Sequence, residues 1–308
     1  MPYFVTLLLF FAALSGPPAH AKTSSADCVD CGTKKSKAGS FKTSSIETMI
    51  DHLSGIPPAL PQKVQTAALY GGHKIEEMKA GYPWNGIGRL FPNAKSGTDF
   101  CTAVRVSACH IMSAGHCARD ANGSYEKQIT YVPPFEKKAY FVDKVLAGEG
   151  NFLKDRSLDW AVMRLEDSAS GNRDGWMGIA DTKGGELVGK TFVHSGYHLD
   201  LSPNAKFAYV DDQAKVIKTN KGIFSGNANH VFLRANAGRG GSGGPVFRLD
   251  DSGQAWLVCL ANAGVSVEGQ GTTAVLGADE TEHLTQCAAS NAFFAKVQQF
   301  MAENPCKP

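Results

Sequence analysis

From Tyr82 onward the chain is divided into short apolar runs separated by turn formers, which restricts it to a fold assembled from many short strands. The runs are Ile87–Phe91, Thr102–Val106, Ile129–Val132, Phe141–Leu146, Trp160–Leu165, Phe207–Val210, Val231–Leu233 and Trp256–Leu260. Gly, Asn, Asp and Pro lie between them, and the chain's 33 Gly suit a fold with frequent turns. An all-β barrel or sandwich is the expected class. The C-terminus differs. Phe293, Phe294, Val297, Phe300 and Met301 share one face at helical spacing, so residues 291–303 are expected to form an amphipathic helix, stopped by Pro305 and packed on the strands. Ser45–Leu53 is a weaker candidate for a short helix.

The first residues read differently again. An apolar core from Phe4 to Leu14 is broken by Pro17 and Pro18, and Ala19-His20-Ala21 is a small-x-small cleavage site. Residues 1–21 are expected to be a secretory signal, although no Lys or Arg precedes the apolar core. A bilayer span needs about 20 apolar residues, so a membrane anchor is the lesser reading. Residues 22–69, rich in Ser, Lys and Thr up to about Pro61, are expected to be a pro-segment or a flexible lead-in. The product is then secreted or periplasmic, with no stable membrane insertion. A formal net charge of +2 gives no reason to expect nucleic acid as a partner.

Eight Cys behind an export signal suggest disulfides. Zinc competes for Cys28-x-x-Cys31, but a second ligand pair at a suitable spacing is not evident. Cys101 and Cys117 bracket what reads as two strands and a turn, and a bridge between them closes that hairpin. Cys287 and Cys306 flank the expected helix, about 20 Å long for about 13 residues. They are therefore expected to pair elsewhere, or one to stay free. Cys109 and Cys259 are open to either fate.

Chemistry concentrates in three segments. Gly240-Gly241-Ser242-Gly243-Gly244-Pro245 sets a serine among glycines, so a peptide can approach the hydroxyl and backbone N–H groups can turn toward one point. Ser113-Ala114-Gly115-His116-Cys117 supplies an imidazole, the usual base for activating a serine, beside the bridged cysteine. Asp159 opens the apolar run Asp159-Trp160-Ala161-Val162-Met163-Arg164-Leu165 and is suited to burial as the group that orients the imidazole. Its rival Asp155 lies in a polar stretch between Lys154 and Arg156, where a surface ion pair is the simpler reading. His194-x3-His198 suggests a metal pair, but it surrounds a strand end and turn, and the side chains need not converge.

Ala-Gly-His-Cys, Asp-Trp-Ala-Val and Gly-x-Ser-Gly-Gly-Pro in this order resemble the trypsin/chymotrypsin superfamily of serine proteases. Tyr70-Gly71-Gly72, Tyr82-Pro83-Trp84-Asn85-Gly86-Ile87-Gly88-Arg89-Leu90 and Gly196-Tyr197 look more like its bacterial glutamyl-endopeptidase branch. The resemblance covers about Tyr70 to Gly264. It implies two six-stranded antiparallel β-barrels, at about residues 82–175 and 185–285 of a domain spanning 70–308, plus the C-terminal α-helix. It further implies an endopeptidase with His116, Asp159 and Ser242 as catalytic triad and the N–H groups of Gly240 and Ser242 as oxyanion hole. Such an enzyme acts on protein or peptide substrates as a monomer, without cofactor or metal.

The chain also departs from the pattern. Trypsin-type enzymes carry an Asp before the nucleophile that receives the new N-terminus after cleavage; here the residue is Gly241, so activation is not expected to use that ion pair. Asn236, six before the nucleophile, replaces the acid that selects Arg or Lys. Ala237 and Ala261 stand where the glutamyl branch has a Thr and a His. Ala261-Asn262-Ala263-Gly264 is expected to pair with substrate backbone and to leave room for an uncharged side chain. Two other functions compete. A catalytically silent homologue acting as a secreted binding protein normally lacks a triad member, and none is missing here. An esterase of the Gly-x-Ser-x-Gly type places its His after its Ser, on a parallel sheet.

Overall fold

In a computed structural model, the described residues are 75–92, 100–119, 123–126, 128–136, 138–152, 154–166, 175–199, 201, 206–219, 228–235, 238–266 and 283–307. The expected signal and lead-in, the short helix at Ser45–Leu53, Tyr70-Gly71-Gly72, Cys28, Cys31, Asn236 and Ala237 lie outside them. Six strands, β2 (Ile87–Phe91), β3 (Cys101–Arg105), β4 (His110–Ser113), β5 (Thr130–Val132), β6 (Tyr140–Ala147) and β7 (Ala161–Leu165), close into a barrel in the order β2-β3-β4-β7-β6-β5. Every residue of β3 and β4 is buried, because side chains alternate between two apolar surroundings. Ala103, Ile111, Ala161 and Met163 fill the barrel interior. Their neighbours Val104, Met112 and Val162 turn to the opposite face and join Phe247, Leu257, Leu260 and Phe293 in a core shared with the second half.

The second half is an antiparallel ring of β9 (Thr191–Tyr197), β10 (Ala208–Thr219), β11 (His230–Arg234), β12 (Pro245–Leu249), β13 (Ala255–Ser266) and β14 (His283–Ala289). The order is β10-β11-β14-β13-β12-β9, closed by β9 on β10. Short β1 (Glu76–Glu77) joins the outer edge of β10, and β8 (Gly178–Ile179) runs parallel beside β13. Val216, Val231, Leu233, Val246 and Val258 make its interior. The expected double barrel is therefore the observed architecture.

One turn of helix, α1 (Gly184–Leu187), and the terminal helix α2 (Phe294–Glu303) complete the fold. α2 buries Val297 and Phe300, and Phe293 just before it lies 5.8 Å from the Trp160 ring. Asn304 ends the helix by donating both its amide and its side-chain N–H to Phe300 O, and Pro305 cannot extend it. No helix among the described residues is long and apolar enough to cross a membrane.

Three disulfides link the described cysteines. Cys101–Cys117 is the expected hairpin closure, with Cα atoms 6.2 Å apart. Cys259–Cys287 joins β13 to β14. Cys109–Cys306 spans 197 residues and fastens the chain end to the first barrel, so Cys287 and Cys306 do pair elsewhere than with each other. Arg164 strengthens the same attachment: its guanidinium pairs with Asp143 at 2.7 Å and reaches Pro305 O at 3.3 Å, while Lys307 lies 3.0 Å from Asp143.

Candidate active site

Strand β4 ends at Ser113, and the chain turns through a 3-10 segment, Gly115–Cys117, that presents His116. The Cys101–Cys117 disulfide ties this turn to the start of β3. A second 3-10 segment, Arg156–Leu158, delivers Asp159 just before β7. Asp155 caps that segment, its carboxylate accepting the Ser157 amide at 3.0 Å and the Ser157 hydroxyl at 2.7 Å. The side chain that meets His116 belongs to Asp159. Its carboxylate is fully buried and accepts the His116 backbone amide at 2.8 Å and ring Nδ1 at 2.9 Å. The imidazole is 30% exposed, leaving its outer edge open to a visitor. Phe152 lies 6.2 Å from it, ring to ring.

Arg156 is an unforeseen member of this group. The tight turn brings residues three apart onto one side, so its Nη1 lies 3.0 Å from Asp159 Oδ2. One buried carboxylate thus serves an amide, an imidazole and a guanidinium, which offsets the cost of removing its charge from water. The backbone oxygen of Arg156 accepts Asn262 Nδ2 at 2.7 Å, tying strand β13 to the Asp159 turn.

Ser242 lies on the 238–244 loop, which enters β12 at Pro245. The loop is bound to both halves. Thr102, on β3, donates its amide to Ser242 O at 2.8 Å and its hydroxyl to Gly240 O at 2.9 Å. On the other side, Gly243 N donates to Ala261 O and Ala261 N to Gly244 O, at 2.6 and 3.0 Å. Gly243, at φ +84°, is required here: a Cβ would collide with Ser113 Oγ and Thr102 O and stand 2.9 Å from Ala114 N. The serine loop therefore rests against the chain that leads to His116. The amides of Gly241, Gly243 and Gly244 donate within the fold; among the described residues, those of Gly240 and Ser242 find no acceptor.

Ala261 and Asn262 are buried in β13, and Ala263 and Gly264 pair with Gln286 and Thr285 of β14. β12 pairs with β13 only as far as Leu260. From Asn262 on, the other edge of β13 carries no strand among the described residues. His194 and His198 are buried beneath the serine loop with ring centroids 5.8 Å apart. Burial, and then the neighbouring His194, push the His198 imidazole down to about 3. Among the described residues two clusters have metal-ligand spacing, Cys101–His116–Cys117 and Cys109–His110–Cys306. The sulfurs in both are bound in disulfides, so neither offers thiolates.

The family model described as Trypsin matches residues 78–299. Three solved structures are similar to the chain. A Glu endopeptidase shows 19% identity and a TM-score of 0.57, covering 77% of this chain and all of its own. The protease Anisep from Arthrobacter nicotinovorans shows 17% identity and 0.54, covering 74% and 99%. A thermostable serine protease, AL20, from an extremophilic microorganism shows 16% and 0.55, covering 72% and 98%. A search of curated proteins found no match.

Proposed function

The chain belongs to the trypsin family, and from that premise we propose that it is an exported serine endopeptidase whose nucleophile is Ser242, with His116 as base and Asp159 as its orienting carboxylate. The observation that carries the reading is the carboxylate of Asp159, buried and bonded to both His116 N and Nδ1. It demands a proton on Nδ1 and leaves the lone pair of Nε2 free to act. His116 Nε2 takes the proton of the Ser242 hydroxyl as Oγ attacks the peptide carbonyl. The N–H groups of Gly240 and Ser242 then hold the oxyanion, a contact each worth about 3–4 kcal/mol of barrier in such sites. The imidazolium returns its proton to the amine as the C–N bond breaks, leaving an acyl-enzyme that water hydrolyses by the same steps reversed. Asp159 keeps the ring of His116 oriented throughout.

The edge of β13 that carries no strand among the described residues from Asn262 onward supports binding of an extended peptide as an added strand. An uncharged side chain suits the pocket, because Asn236 is no acid and Ala237 and Ala261 are no Thr–His pair. Disulfides linking the described cysteines support an oxidising compartment, with residues 1–21 as its signal and residues 22–69 as a removable pro-segment. Cleavage is expected near Ala21, and the mature protein is read as a monomer.

Fluorophosphonate labelling and cleavage of a peptide library test this. The matured chain should label at Ser242, lose labelling in Ser242→Ala, and cut after uncharged residues. A folded, mature chain that neither labels nor cuts refutes the reading; cutting after Arg or Glu refutes the pocket.

A further inference from the structure

The mechanism makes no use of the His194-x3-His198 pair, although both rings are buried, at 1% and 2% exposure. His198 follows the end of β9 and lies directly under the serine loop. A Cβ added to Gly241 would stand 2.6 Å from its Cε1 and 2.8 Å from its Nδ1. The imidazole therefore fills the space that a side chain before the nucleophile would need. The first described amide of the loop, Gly238 N, donates to His198 Nδ1 at 3.1 Å. Beside it, Leu199 N donates to Arg239 O at 2.8 Å and Gly241 N to Gly238 O at 3.0 Å. Accepting at Nδ1 requires a lone pair there and the proton on Nε2. The low proton affinity that burial imposes keeps the ring in that neutral form throughout the working range.

We propose that His198 is a positioning residue: its Nδ1 fixes the Gly238 amide and its ring supports Gly241, so that the N–H groups of Gly240 and Ser242 converge on the oxyanion. The assignment rests on the endopeptidase reading above. Trypsin-type enzymes recruit a new N-terminus to an acid at the residue before the nucleophile. This chain has a glycine there, with an imidazole already in place beneath it.

Three variants of the mature chain test the assignment. In His198→Asn the amide oxygen falls where Nδ1 lies; in His198→Gln it reaches the Nε2 position instead; His198→Leu has no acceptor. The Leu and Gln variants should lose about 10²–10³-fold in kcat with KM little changed, as for loss of an oxyanion donor, and Asn should restore most of it. Full kcat in the Leu variant, a loss carried only by KM, or an Asn variant no better than Leu overturns the proposal. Should the variants not fold, nitrogen-15 NMR of the histidine-labelled parent decides. A ring that stays neutral with its proton on Nε2 between about pH 5 and 8 sustains it; a proton on Nδ1, or titration in that range, overturns it. A parent that neither cuts nor labels sinks the endopeptidase reading. An active parent with an indifferent Leu variant sinks only the role of His198.

Discussion

Asp159→Asn removes one charge and almost no volume, so its cost can be worked from the hydrogen bonds. Oδ1 accepts the His116 amide at 2.8 Å; Oδ2 accepts His116 Nδ1 at 2.9 Å and Arg156 Nη1 at 3.0 Å. An asparagine keeps one acceptor. If its oxygen stays at the His116 amide, its NH₂ faces Nδ1 and Nη1. Nδ1 must then surrender its proton, and Nε2 acquires one and can no longer deprotonate Ser242. If the amide flips, the His116 backbone N–H is left facing a donor beside a fully buried residue, which costs about 1–3 kcal/mol, whereas in the first arrangement Arg156, 22% exposed, can turn to water, so the first prevails. Either way a charge-assisted bond worth about 1.5–3 kcal/mol is lost, and melting should fall by about 4–10 °C for a domain of this size. Turnover should fall about 10⁴-fold, equivalent to about 5 kcal/mol of barrier. The assay is kcat on a chromogenic peptide near neutral pH, with calorimetry on the same preparation. A folded variant within tenfold of the parent would show that Asp159 does not control the His116 tautomer.

Two further outcomes follow from the attachment of the chain end. Arg164, bonded to Asp143, holds that carboxyl below the usual carboxylate range. Its stabilising contribution is therefore complete above the unfolded value and disappears as pH falls through the folded one. Asp143→Asn should lower stability by about 1 kcal/mol at neutral pH, and its denaturation midpoint should converge with the parent's in strong acid; an equal gap at all pH values would contradict this. Replacing Cys109 and Cys306 together by Ala should cost about 2–4 kcal/mol, read by calorimetry, and should make the segment after Glu303 the first site of limited proteolysis. An unchanged melting point would deny the bridge its role.

Local signals carried much of this architecture. Ile87–Phe91 forms β2 with the expected limits, and the His-Cys segment, the hairpin bridge and the amphipathic stripe ending at Met301 read directly from spacing. β14 escaped because Thr285, Gln286 and two alanines make a weak apolar signal, though cross-strand burial suffices to hold them. β13 runs past its apolar run to Ser266 because residues 263–266, already expected to be extended up to Gly264, pair with β14 beyond an irregularity at Asn262. β10 outgrows its apolar run because a bulge between Asp211 and Ala214 lets one strand serve both β9 and β11. Arg156 seemed a surface charge until the turn brought it onto a buried acid. The two histidines suggested a ligand pair because sequence cannot show which loop will come to lie on them.

The bridge from Cys109 to Cys306 reaches the surroundings of the buried acid at second hand. Phe293 packs on the tryptophan next to Asp159, and the helix that follows it is fastened beyond its far end to the first barrel by that bridge. Reducing the bridge loosens that fastening without touching His116 or Asp159, so the redox state of two remote sulfurs bears on how firmly the wall behind the acid is held.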